Sequence, residues 1–116
     1  MRATDPPASP PVEFPDITEE ELRRLAWERC GIIRSGEGLA AACDRLESVP
    51  MRPCANPNRA LFELRGMREV IRLIARCALA RKESRGAHYR TDYPEKSAAY
   101  RKHSRITRAS GEVAFL

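Results

Sequence analysis

From Pro57 to Arg85 nothing interrupts a helical pattern except Gly66, and this run most constrains what the chain can become. Asn56 followed by Pro57 reads as an N-cap and first helical residue, because a proline's missing N–H is an unneeded donor there. Gly66 costs roughly 1 kcal/mol relative to alanine. One apolar seam runs Leu64, Met67, Ile71, Ile74, Ala78, with Val70, Leu73 and Cys77 beside it. A seam this broad predicts two packing neighbours. The opposite stripe, Arg65, Arg68, Glu69, Arg72 and Arg76, reads as a solvated face. Gly86 supplies the stop.

Two shorter helices precede it. Thr18-Glu19-Glu20-Glu21 has the form of a capping box, in which the Thr hydroxyl takes an early N–H and Glu21 reaches back. Ile17 can staple onto Leu22, and Gly31 ends the helix as a residue free to turn left-handed. Ser35 caps a second helix with Leu39, Ala42, Cys43 and Leu46 on one face, which Pro50 and Pro53 end. Leu, Ile, Val and Phe make only 22 of 116 residues, a thin core that sixteen alanines, the best helix formers, offset. The expected fold class is all-α: an antiparallel three-helix bundle, spectrin-repeat-like, over residues 17–86. Residues 87–116 are expected as an extended tail packing on the bundle or on a partner domain. Within it Ile106 and the Val113/Phe115 pair flank Ala109-Ser110-Gly111 as a short hairpin. Residues 1–16 hold five of the nine prolines and read as a disordered linker.

The chemistry in the sequence is sparse. Net charge is +5, and 18 of the 21 basic residues are arginine. Residues 1–56 sum to −3 and residues 57–116 to +8, so the second half suits nucleic acid or an acidic protein surface. Against nucleic acid stand Glu69 inside the arginine stripe and the lack of interleaved aromatics. Cys30, Cys43, Cys54 and Cys77 form no C-x-x-C pair, and small buried thiols in a reducing cytosol account for them better than zinc or disulfides. No catalytic, metal or cofactor-binding set emerges: His88 and His103 lack nucleophile partners at a useful spacing. Gly36-Glu37-Gly38-Leu39-Ala40-Ala41 matches a dinucleotide fingerprint on paper, but no buried strand precedes it and no acid follows at the right distance. Helix-entry glycines are the better account. No apolar run approaches the roughly 18 residues of a membrane span, so the expectation is a cytoplasmic protein with no membrane and no metal.

Residues 83–94, ESRGAHYRTDYP, carry more information than any composition. They resemble the signature that closes the helical C-terminal domain of the fumarate reductase/succinate dehydrogenase flavoprotein family, and His-Tyr-Arg followed by Asp-Tyr-Pro is most similar to its L-aspartate oxidase branch. Residues 22–34, LRRLAWERCGIIR, resemble the family's first helix and turn, and residues 100–108, YRKHSRITR, its end segment. The resemblance implies a full-length enzyme that oxidises L-aspartate to iminosuccinate with noncovalent FAD and feeds NAD biosynthesis. It also implies that flavin and substrate sit in domains this chain lacks. The chain would then be a noncatalytic structural domain whose partner is a flavin-binding domain or subunit, with no cofactor of its own. The candidate docking residues carried over are Glu83, Ser84, Arg85, Gly86, His88, Arg90, Asp92 and Tyr93. The same residues admit a second reading, in which they pin the tail onto the domain's own helices. Gly66 departs from the family's usual Asn, and Arg68 from a Leu-like residue. The competing function is a free-standing basic module that binds nucleic acid or an acidic protein through Arg65, Arg68, Arg72 and Arg76.

Overall fold

The computed structural model describes residues 12–116. In chain order these form β1 (Glu13–Pro15), α1 (Glu19–Cys30), β2 (Ile33–Arg34), α2 (Gly36–Ser48), β3 (Met51–Pro53) and α3 (Arg59–Ala80). Beyond α3 come β4 (Tyr89–Arg90), a single 3₁₀ turn (Ala98–Tyr100), β5 (Ser104–Ile106) and β6 (Val113–Phe115). The three helices pack pairwise around one core. Ile17, Leu22, Leu46, Val49 and Ile71 form its centre, with Leu25, Ala26, Leu64 and Met67 against them. Ala42 and Ala75 are fully buried, which lets the helix backbones approach closely.

The helix starts follow local chemistry. Thr18 Oγ1 accepts the Glu21 N–H and Ser35 Oγ accepts the Gly38 N–H. Only half of the expected capping box forms, because the Glu21 carboxylate turns to α2 and takes two hydrogen bonds from Arg45 at 3.0 and 2.7 Å. For α3 the cap is Asn58 rather than Asn56: its Oδ1 accepts the Leu61 N–H at 3.0 Å, two residues later than the proline signal suggests. That helix also stops early, at Ala80 rather than near Gly86. Gly31 does end α1, though not by a left-handed turn: its φ is −76°, and a Cβ there would stand 2.5 Å from the Trp27 carbonyl oxygen.

The expected all-α class needs correction, because three two-stranded sheets accompany the helices. The hairpin β5–β6 forms in the expected place, with Ile106 opposite Val113. The other two join segments far apart in sequence: β1 runs antiparallel to β3, and β2 runs parallel to β4. Strand β1 lies inside the stretch assigned to a linker. Phe14 is buried there and meets Phe62 edge-on at 5.1 Å, and Asp16 donates its N–H to the Pro50 carbonyl. Prolines fit because such short edge strands need few amide donors. Residues 1–11 of the expected linker lie outside the described residues.

The arginine stripe of α3 is not a free cationic face. Arg65 stacks over Phe14 and Phe62, Arg68 donates to the Leu46 carbonyl, Arg72 pairs with Glu47, and Arg76 donates to the Gly111 carbonyl. Arg68, the departure from a Leu-like residue, therefore ties α3 to the end of α2, with its own Nε lacking an acceptor. Conversely the apolar side of α3 is incompletely covered, and Val70 and Ile74 remain exposed. Gly66 faces open space, with nothing within 4 Å of an added Cβ. Gly66→Ala is therefore expected to raise stability by about 0.5–1 kcal/mol, through helix propensity and a less flexible unfolded chain. A urea midpoint that rises at unchanged slope is the check; a fall would mean the helix needs the glycine.

Candidate functional site

Where α3 ends, the chain folds back on itself through residues 81–97, and the fold centres on a buried carboxylate. Glu83 is completely shielded from solvent. Its Oε2 accepts from Arg81 Nη1 at 2.7 Å and Arg85 Nε at 2.9 Å, and its Oε1 from Arg85 Nη2 at 3.0 Å and the Ser97 N–H at 2.8 Å. Four donors on one carboxylate outweigh the cost of burying it. The Arg85 hydrogen bonds, helped by Ser97 and Arg81, hold the Glu83 carboxyl down at about 2. Arg81 reaches further, donating to the Tyr100 carbonyl at 2.6 Å and to Ser104 Oγ at 3.0 Å, with its guanidinium over the Phe115 ring. This anchors the terminal hairpin to the end of α3.

A second ion pair joins two helix ends. The Arg90 side chain is buried, and its Nη1 donates to the carbonyls of Ala78, Leu79 and Arg81 at 3.2, 2.7 and 3.2 Å. These are carbonyls a helix C-terminus leaves without amide partners, and a cation there also meets the negative end of the helix dipole. The remaining Arg90 nitrogens grip Asp92 side by side, Nε to Oδ1 at 3.1 Å and Nη2 to Oδ2 at 2.7 Å. The Asp92 carboxylate also lies against Gly36 at the start of α2. Arg90 above all, through these two hydrogen bonds, holds the Asp92 carboxyl below the usual range. The pair thus sets a cation on the negative end of α3 and an anion on the positive end of α2. Gly36 is required by the close approach: a Cβ there would collide with Asp92 Oδ2 and stand 2.6 Å from Arg90 Nη2.

The remaining signature residues hold the turn. Ser84 Oγ accepts the Arg90 N–H at 2.9 Å and donates to the Tyr93 carbonyl at 2.7 Å. Arg85 and His88 exchange backbone hydrogen bonds across Gly86, whose φ of +57° favours glycine. Arg34 Nη1 lies 2.8 Å from His88 Nδ1, and since arginine has no acceptor the imidazole must accept there. Nε2 then donates to the Arg81 carbonyl at 3.1 Å. Burial pushes His88 below its ordinary value, and the neighbouring arginines push the same way, so the ring stays neutral. Tyr93 lies over the Arg90 guanidinium at 5.0 Å.

All eight sequence-selected residues thus fall in one turn, and most of their polar groups are bonded inside the chain. Sequence reasoning missed Arg34, Gly36, Arg81 and Ser97. Gly36 carried a signal, since a glycine opening a helix marks close approach, but nothing named Asp92 as the group approaching. The dinucleotide reading fails on the same contact. Gly36 and Gly38 do open a helix, yet Asp92 Oδ2 already stands against Gly36 and Ser35 Oγ takes the Gly38 N–H, where a pyrophosphate would sit. These residues do not fit a flavin. Among the described residues no His, Cys, Asp or Glu cluster is arranged for a metal. The four cysteines are free and half-buried, and burial raises the thiols of Cys30, Cys43 and Cys77. No helix among the described residues is long and apolar enough to cross a membrane.

This self-bonded turn, α3 and the hairpin fall together within residues 53–115, which match the family model described as fumarate reductase flavoprotein C-term. The chain belongs to that family. Relatives of this flavoprotein C-terminal family match a larger share of the chain. An L-aspartate oxidase of Saccharolobus solfataricus is 45% identical over 81 residues, 70% of this chain and 15% of that protein. An L-aspartate oxidase of Rhodospirillum rubrum is 39% identical over 101 residues, 81% of this chain and 34% of its own length. An uncharacterized FAD-dependent oxidoreductase of Methanocaldococcus jannaschii is 38% identical over 89 residues, 71% of this chain and 16% of that protein. The chain therefore spans only a sixth to a third of these relatives.

The two ion pairs make opposite demands on experiment. Glu83 is ionised in the fold well below the usual carboxylate range, so its contribution is complete above about pH 4.5 and drains away as pH falls toward 2. Glu83→Gln should cost about 3 kcal/mol at neutral pH, because it strands two arginines, and should flatten the acid limb of stability against pH. An unchanged acid limb would rule Glu83 out as its source. Gly36→Ala should destabilise by about 1–3 kcal/mol through forced displacement of the Arg90–Asp92 pair, opposite in sign to Gly66→Ala. Paired denaturation curves of the two alanine variants test this directly.

Proposed function

We propose that the chain is the noncatalytic helical domain of an FAD-dependent flavoprotein of the L-aspartate oxidase type, and that it docks on a flavin-binding domain or subunit. The three helices serve in this reading as an antiparallel bundle that carries the docking turn. The observation that carries it is the closed set of hydrogen bonds around Glu83 and Arg90, which leaves a rigid turn rather than a reactive one. The segment from Glu83, Ser84, Arg85 and Gly86 through His88, Arg90, Asp92 and Tyr93 shapes the docking face, its buried ions fixing the backbone and its exposed rims meeting the partner. Oxidation of L-aspartate to iminosuccinate for NAD synthesis is then the work of the whole assembly in the cytoplasm, with FAD held by the partner.

The nucleic-acid reading loses its basis, because Arg65, Arg68, Arg72 and Arg76 each have a partner within the chain. To test docking, Saccharolobus solfataricus L-aspartate oxidase is produced without the stretch that aligns with this chain, and the chain is added in trans. Flavin release on heating should then occur several degrees higher. The isolated chain should bind no flavin and turn over no L-aspartate. Turnover by the chain alone, or no effect on flavin release, would sink the proposal.

A further inference from the structure

Three of the large apolar side chains left most exposed lie close together in the chain. Trp27 in the last turn of α1 is 77% exposed, and Ile32 and Ile33 just beyond it are 77% and 67% exposed. Ile33 stands beside Tyr89 in the parallel register of β2 and β4, and Tyr89 is 42% exposed. In the same ribbon Arg90 is buried and Arg34 is half-buried, so one face of β2–β4 is turned inward and the other is left bare. Parallel strands are normally covered on both faces, and two strands alone are marginal. Trp27 also walls an open groove of about 580 Å³ between α1 and α3, with Arg23, Ala26, Gly31, Met67 and Ile71.

We infer that this apolar surface, centred on Trp27, Ile32, Ile33 and Tyr89, is where the flavin-bearing portion of the enzyme seats. This rests on the docking role proposed above and names the surface that performs it. Two observations select the occupant. Relatives carry the matching stretch as about one-sixth of a longer polypeptide, so in them a much larger body is available to cover it. The size of the patch is the second. Its four side chains offer apolar area on the order of 500 Å², the range in which an exposed patch marks an interaction site. A second copy meeting it face to face would bury on the order of 1,000 Å² in total, below the roughly 1,200–2,000 Å² of stable specific interfaces. The same area is ample for contact between domains, which runs about 600–1,500 Å².

The placement also gives the buried signature a purpose. The Thr91 N–H donates to the Arg34 carbonyl at 2.8 Å, and His88 is held by Arg34, so the Glu83–Tyr93 turn fixes the register that sets Ile33 beside Tyr89. Those polar residues would then act on docking as positioning residues, through the ribbon, while the apolar side chains make the contact.

The full chain, labelled with fluorotryptophan at its sole tryptophan, is titrated with the truncated Saccharolobus oxidase, whose retained flavin absorbance reports that it is folded. Binding should shift the single fluorine resonance. Trp27→Gln and Ile33→Asp, both at exposed positions whose folding is checked by circular dichroism, should weaken binding at least tenfold. Arg105→Glu, on the exposed side of β5, should leave it within twofold. Wild-type binding with an unmoved resonance and unaffected variants would overturn this surface while leaving the docking role intact. No binding of wild type to the folded probe would overturn both. Sedimentation showing a dimer that Ile33→Asp dissolves, with no binding to the probe, would give the surface to a second copy instead.

Discussion

Each of the three helices ends on an arginine that lies outside it. Arg34 Nε donates to the Gly31 and Cys30 carbonyls at the end of α1. Arg68 Nη2 donates to the Leu46 carbonyl in the last turn of α2. Arg90 Nη1 reaches three carbonyls at the end of α3. The last four carbonyls of a helix have no amide partners, and those that the fold buries need another donor. A guanidinium answers both needs, since it carries several donors in a plane and a charge that suits the negative helix end. Lysine offers a point charge without the fork, and Arg90 must hold carbonyls and a carboxylate at once. The excess of arginine over lysine has here a structural use, whatever produced it.

These caps explain how a thin core suffices. The buried cluster is small, and Arg45 to Glu21, Arg72 to Glu47 and Arg68 to Leu46 add polar links between the helices. Half-exposed pairs such as Arg45–Glu21 contribute little each. The buried groups are a different matter. Glu83 without its donors would be an uncompensated charge in the interior, and so would Arg90 without Asp92. That asymmetry makes residues 81–97 all-or-none: either every member is in place or the turn has no stable form. Such a network specifies a shape more than it adds stability.

The long helix, its two shorter partners, the Thr18 and Ser35 caps and the terminal hairpin were legible because each is written locally, in periodicity, cap chemistry or a glycine turn. What escaped was written at a distance. Pairing of Ile33 with Tyr89, or of Phe14 with Arg52, joins segments that no window spans, and strands of two or three residues leave no alternation to detect. The early end of α3 escaped for the same reason: helix propensity runs on to Arg85, but Glu83 gains four donors only if the chain leaves the helix after Ala80. Tertiary bonding overrode local preference. The arginine stripe misled in the opposite sense, because a stripe of cations looks solvated until one knows that α2 and the hairpin lie beside it. In the candidate site the residues were found and their use was not. The signature named Glu83, Arg90 and Asp92, whereas their partners Arg81, Ser97 and Gly36 lie outside it.

The docking role proposed above makes two demands, and different parts of the structure meet them. The surface offered to a partner must be apolar enough to bind yet tolerated while bare, and Trp27, Ile32 and Ile33 lie at the edge of that compromise. The framework behind it must not move when the partner arrives, because ordering it then would consume binding free energy. Residues 81–97 meet the second demand in advance: their charges are neutralised by one another, their backbone groups are bonded across the turn, and His88 is held neutral between Arg34 and the Arg81 carbonyl. Reactive chemistry would need the reverse, a charged or nucleophilic group left short of partners. In the turn that bears the family signature, the strongest charges are the ones most completely satisfied. That arrangement suits a piece of architecture.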